Sequence, residues 1–149
     1  MSELNVLVWL APLLPLLGAA WIGIQIVARI NPGEAGEKQT SLVLSIASGG
    51  ALLCLLLLDL LALFNGLPGN IKVLNWLQVA EYNIDLALML DGFGLAMATL
   101  VALIAFLSIR FSINYLHREA GFQRFFMLLG LFNGAMLLIV MAANTALVF

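Results

Sequence analysis

Residues 41–64 read SLVLSIASGGALLCLLLLDLLALF, an apolar run broken by a single charged side chain, Asp59. A helix needs about 20 such residues to cross the hydrocarbon core of a bilayer, so this stretch predicts a membrane span. Working outward, three further stretches qualify. One covers about 6–28, interrupted by Gln25 and carrying Pro12 and Pro15 in its early turns, where they are expected to bend it. The others cover about 92–113 and about 125–143. The expected fold is all-α: a polytopic membrane protein forming one helical region over 1–149, with about four transmembrane helices and the start of a fifth.

Composition agrees. Of 149 residues, 64% are hydrophobic and 9% charged, and the mean hydropathy is +1.12. Soluble domains carry about a quarter charged residues. Fourteen acidic and basic side chains do not cover a water-facing surface for a chain of this length, which excludes a soluble enzyme, a nucleic-acid binder and a disordered linker. The lone cysteine, Cys54, sits among leucines and reads as a small packing residue. The opening Met-Ser-Glu-Leu-Asn has no Lys or Arg, unlike the positive start of a secretory signal.

Between the first two spans, Asn31-Pro32-Gly33-Glu34 is a breaker cluster. Residues 65–90 read as an extramembrane loop holding a short interfacial or strand-like piece, with Trp76 and Tyr82 as interface anchors. Ile84, Leu86, Leu88 and Leu90 alternate with Asp85, Ala87 and Met89, a weak strand signal. Four spans place the N-terminus, this loop and the C-terminus on one side. Arg29, Lys38, Arg110, Arg118 and Arg124 fall on the other side, and only Lys72 on the first. By the positive-inside rule, loops 31–40 and 114–123 are cytoplasmic and the N-terminus is outside.

Charge inside a membrane is costly and points to function by default. Asp59, one and a half turns before Asn65, reads as an interfacial acid near the outer boundary, with a proton-path carboxylate as the sharper alternative. Asp91, just before Gly92, suits the N-cap of the third span. Arg110, one turn from the end of that span, can snorkel to headgroups or pair with Glu119. Arg118 and Arg124 flank a short turn at Gly121 and read as topology anchors or subunit contacts. His117, the only histidine, is placed in a charged loop, where solvation competes with proton relay.

No Ser/His/Asp set, phosphate-binding loop, or Cys or His cluster appears. The chain is therefore expected to carry no catalytic residue, cofactor or metal, and to bind no nucleic acid. The central stretches 42–58, 93–107 and 128–140 hold no Lys, Arg, Asp, Glu or His. Small-residue patches do occur there: Ser45, Ser48, Gly49 and Gly50, then Gly130, Gly134 and Ala135. Such patches let helices approach closely. The spans read as helices that pack rather than conduct.

Three motifs in order carry a resemblance: Leu90-Asp91-Gly92-Phe93-Gly94-Leu95; then Asn114 to Phe126, NYLHREAGFQRFF; then Leu131-Phe132-Asn133-Gly134-Ala135-Met136-Leu137-Leu138. Together they resemble the N-terminal part of the antiporter-like membrane subunit of NADH-quinone oxidoreductase (complex I), chain 5/subunit L. The same superfamily includes the large subunit of multisubunit cation/proton antiporters and the DabB-type membrane subunit of bacterial complexes that accumulate inorganic carbon. The resemblance implies a bacterial inner-membrane location and proton translocation in a respiratory or ion-coupled complex, with the N-terminus outside. Ala143, before Asn144, stands where family members usually carry an acid. The family's Gly-Trp-Glu motif and later lysines, its proton carriers, would fall beyond Phe149, so none is carried over. Residues 144–149 read as the opening turn of a fifth helix. The partners implied are other membrane subunits, including whatever supplies the helices after Phe149, and the lipid bilayer. A non-redox transporter subunit and a purely structural membrane protein stand as alternatives.

Overall fold

The computed structural model describes residues 2–28, 34–66, 69–79, 82–116, 119 and 121–142. Four helices and a two-stranded hairpin follow in order: α1 (Ser2–Val27), α2 (Glu34–Asn65), β1 (Gly69–Val79), β2 (Tyr82–Leu90), α3 (Gly92–Tyr115) and α4 (Phe122–Val140). All four helices are long and apolar enough to cross a membrane. With 26, 32, 24 and 19 residues, and about 1.5 Å of rise per residue, even the shortest approaches the thickness of the hydrocarbon core.

Several boundaries differ from those expected: α1 begins at Ser2 rather than near 6, α3 runs to Tyr115 rather than 113, and α4 ends at Val140 rather than near 143. The cytoplasmic loop expected over 31–40 is already helical from Glu34, because Glu34 and Glu37 in the first turn complement the helix dipole. At about 1.5 Å per residue the 32 residues of α2 are longer than the hydrocarbon core is thick. The fourth helix begins at Phe122 rather than near 125. Gly121 precedes it with φ +125°, a backbone conformation that a side chain disfavours. Pro12 and Pro15 leave α1 continuous.

The loop between the second and third spans is a hairpin, so the helical bundle carries one β element, at the weak strand signal. β1 and β2 pair antiparallel with register shifts between Lys72 and Leu74 and between Asn75 and Leu77. These shifts have a sequence cause. The apolar positions of β1, Ile71, Leu74 and Leu77, are spaced by three, whereas a strand alternates by two. Skipping Val73 and Trp76 as bulges brings them opposite Leu88, Leu86 and Ile84. Asn75 and Gln78 then stand opposite Asp85 and Asn83. Leu88 is fully buried and bridges to Ala142 beyond α4, which ties the hairpin to the bundle. The side chains of Trp76 and Tyr82, expected as interface anchors, lie outside the described residues.

α1 packs on both α2 and α4, and α2 on α3. The glycines of the small-residue patches sit at the helix seams. Gly130 and Gly134 of α4 face α1: a Cβ on Gly130 would lie 3.1 Å from Ala19 Cβ and 3.4 Å from the Pro15 carbonyl. One on Gly134 would collide with Leu16 and stand 3.2 Å from the Pro12 carbonyl. Gly49 lies against the Phe106 ring, and Gly50 against Leu14.

The interior divides into two apolar clusters. Val8, Ala51, Leu55, Leu58, Leu88, Leu95, Ala98, Leu137 and Met141 fill the half nearer the hairpin. Ile22, Leu44, Ile109, Phe122 and Phe126 fill the other half, where the rings of Phe122 and Phe126 lie 4.4 Å apart. The outward faces are apolar too: Trp21, Leu57, Phe93, Phe111 and Phe132 are all at least half exposed. A surface of this kind is stable against lipid, not water.

Candidate functional site at the hairpin end

α2 and α3 run antiparallel to and from the hairpin. Asp59 lies six residues before the end of α2 at Asn65, and Thr99 lies seven after the start of α3 at Gly92. At about 1.5 Å per residue these are depths of about 9 and 10 Å below the helix ends. Equal depth on neighbouring helices lets them meet: Thr99 Oγ1 donates to Asp59 Oδ2 at 2.7 Å, and both residues are partly buried. A carboxylate inside a span thus gains one strong acceptor bond from a facing hydroxyl.

Asp91 holds the start of α3. Its backbone is extended (φ −84°, ψ 159°) and its Oδ1 accepts from the Gly94 N–H at 3.0 Å, satisfying one of the unpaired donors of the first turn. Gly94 leaves the room for it, since a Cβ there would collide with Asp91 Oδ1. Gly94 therefore serves the helix cap.

The remaining candidates lie at the opposite end. Arg110, Glu119 and Arg124 are all exposed, and no ion pair joins Arg110 to Glu119 among the described residues. The Glu119 backbone forms the turn into α4, its N–H donating to Leu116 and its carbonyl accepting from Phe122. His117, Arg118 and Asn144 lie outside the described residues. The geometry therefore separates two groups: Asp59 and Asp91 at the hairpin end, and Arg110, Glu119 and Arg124 at the other. No group of three His, Cys, Asp or Glu side chains that could hold a metal occurs among the described residues.

Thr99 and Thr40 were not singled out by sequence reasoning, and the burial of several other polar side chains was not legible there. Thr99 is the partner of Asp59, and its matching depth below the helix end was the available signal. Gln25, Thr40, Ser48 and Asn133 are buried. Gln25 Oε1, the Thr40, Ser45 and Ser48 hydroxyls and both amide atoms of Asn133 have no hydrogen-bond partner among the described residues. A cavity of about 230 Å³ between α3 and α4, lined by residues that include Val101, Ile104, Leu129, Phe132 and Met136, is almost wholly apolar.

Comparison with known proteins bears on this arrangement. Residues 76–126 match a profile of the family described as NADH-ubiquinone oxidoreductase (complex I), chain 5 N-terminus. The chain is similar to NAD(P)H-quinone oxidoreductase subunit 5 of the Paulinella chromatophora organellar chromatophore, 30% identical over 93% of this chain and 21% of that protein. It is also similar to NAD(P)H-quinone oxidoreductase chain 5 of Synechocystis, 27% identical over 100% of this chain and 22% of the relative. Subunit L of the Escherichia coli NADH-quinone oxidoreductase is 35% identical over 50% of this chain and 12% of the relative. The chain spans about a fifth of the length of the first two relatives.

Proposed function

The chain belongs to the N-terminal region of the antiporter-like chain 5/subunit L superfamily of NADH-quinone oxidoreductases, and from that premise we propose that it serves as the helical scaffold of such a subunit within a proton-translocating assembly. It packs and positions helices, and the main proton route runs through other parts of the assembly. The observation that carries this reading is the contrast along each helix. The central stretches 42–58, 93–107 and 128–140 have no ionisable Lys, Arg, Asp, Glu or His, while glycines at the same depth bring α4 onto the backbone of α1. Close packing with an uncharged middle suits a framework, whereas a conduit places ionisable groups at mid-membrane.

The partners in this reading are further membrane subunits of an NADH-quinone oxidoreductase-type complex, in a bacterial inner membrane. The hairpin faces outward, and the end bearing Arg110 and Arg124 faces the cytoplasm, following the distribution of basic residues. Affinity purification of the tagged chain from native membranes in mild detergent tests the reading. The expected outcome is co-migration with other membrane subunits of such a complex. A chain that runs as a stable monomer overturns it.

A further inference from the structure

Asp59 lies in the run Leu57-Leu58-Asp59-Leu60-Leu61, with Leu58 buried and Leu57 and Leu60 about half exposed on the outer surface. Pinning α2 to α3 needs only a neutral acceptor, which Asn or Ser supplies at lower cost in an apolar medium. A carboxyl adds one property those lack, two protonation states. Thr99 is matched to both. Facing a carboxylate, its hydroxyl donates to Oδ2, as observed at 2.7 Å. Facing a carboxylic acid, the same oxygen can accept from the Oδ2 proton, because a hydroxyl is both donor and acceptor and its own hydrogen rotates freely. The cross-helix bond survives either way.

We propose that Asp59, coupled to the reversible hydroxyl of Thr99, is a protonation site in exchange with the aqueous phase at the hairpin end. One proton from that phase adds to a carboxylate oxygen, the charge goes from −1 to 0, and no other bond is made or broken. The path is short: Asp59 is partly exposed, about 9 Å along the axis from the end of α2. The charged groups on the surrounding elements are few. α3 contributes Asp91, eight residues from Thr99 and engaged in its cap, and Arg110 at the far end. α4 contributes Arg124, also at the far end. α2 itself carries Glu34, Glu37 and Lys38 only in its first turns. α1 carries Glu3 in its first turn and no other charged residue, and the hairpin strands carry Lys72 and Asp85. No basic side chain among the described residues pairs with Asp59. The site adds an activity at the edge of a chain whose middle is a framework, and it stands independently of what the assembly translocates.

The test is infrared difference spectroscopy of the protein, purified with its partners and reconstituted in vesicles, as the external buffer is made acidic. A carboxylic C=O band is expected in the wild type and is lost in Asp59→Asn, which keeps the shape and the acceptor for Thr99. Thr99→Ser retains the band, and Thr99→Val shifts it. A spectrum unchanged by Asp59→Asn overturns the proposal and leaves a structural pin only. A band that forms only when sodium is replaced by a bulky organic cation overturns it in favour of a metal-cation site. Where Asp59→Asn lowers helical content, the comparison of Thr99→Ser with Thr99→Val decides, and identical spectra for those two overturn the proposal.

Discussion

Asp91 shows how much a single side chain settles locally. Its carboxylate satisfies a backbone donor that lipid cannot, and it does so because Gly94 has no Cβ to displace it. Asp91→Ala is expected to cost about 1 kcal/mol, read as a lower midpoint of detergent-induced unfolding, while Asp91→Asn retains most of the stability. This residue was legible from sequence, because a short acid directly before a glycine-opened apolar helix has one obvious task. Asp59 was legible only as an anomaly in a leucine run. Its partner was not, because a hydrogen bond between residues 40 positions apart depends on how two helices are set against each other. Gln25 and Asn133 were visible in sequence, but their burial was not, for the same reason: a lone amide in an apolar helix does not say whether it faces lipid or the interior.

At the scale of the elements, the helices follow directly from apolar run length, and the disagreements lie at their ends. There a few tenths of a kcal/mol per residue of helix propensity and the dipole-favouring glutamates extend α2 back to Glu34. Between elements, the α1–α4 seam depends on Gly130 and Gly134. Gly134→Ala places a methyl group against Leu16 and the Pro12 carbonyl. The backbone there cannot retreat, so a loss of about 1–3 kcal/mol is expected. Gly23→Ala meets only the flexible Met127 sulfur, at 3.3 Å, and is expected to cost much less. The two unfolding midpoints, measured side by side, check the contrast, and equal losses would refute the close-approach account. The hairpin was half legible. The alternation in β2 gave a weak strand signal, and the period-three apolar positions of β1 conceal a strand until the bulges at Val73 and Trp76 restore the pairing.

For the whole molecule, the two ends differ in chemistry: Asp59, Asp91 and a hairpin at one, and exposed Arg110, Arg124 and Glu119, with Glu34 and Glu37, at the other. The orientation proposed from this has a direct check. In a Cys54→Ala background, Lys72→Cys is expected to react with a membrane-impermeant maleimide added to intact cells, and Arg118→Cys only after lysis. Labelling of position 118 from outside would reverse the orientation. Class, number of spans and the uneven distribution of basic residues were determined by the sequence alone, because the transfer of apolar segments into lipid and the cost of moving cations across it depend on composition and order rather than on partners. The resemblance to the chain 5/subunit L superfamily was likewise present in linear motifs. Only the tertiary structure decided which faces turn inward, that α4 lies on the backbone of α1, that the hairpin bridges back to Ala142, and that Asp59 meets Thr99. The physical reason is that a helix apolar all round has no preferred inward face in lipid. Its rotation and its neighbours are chosen by the fit of small residues and by the few polar groups that must find one another across the bundle.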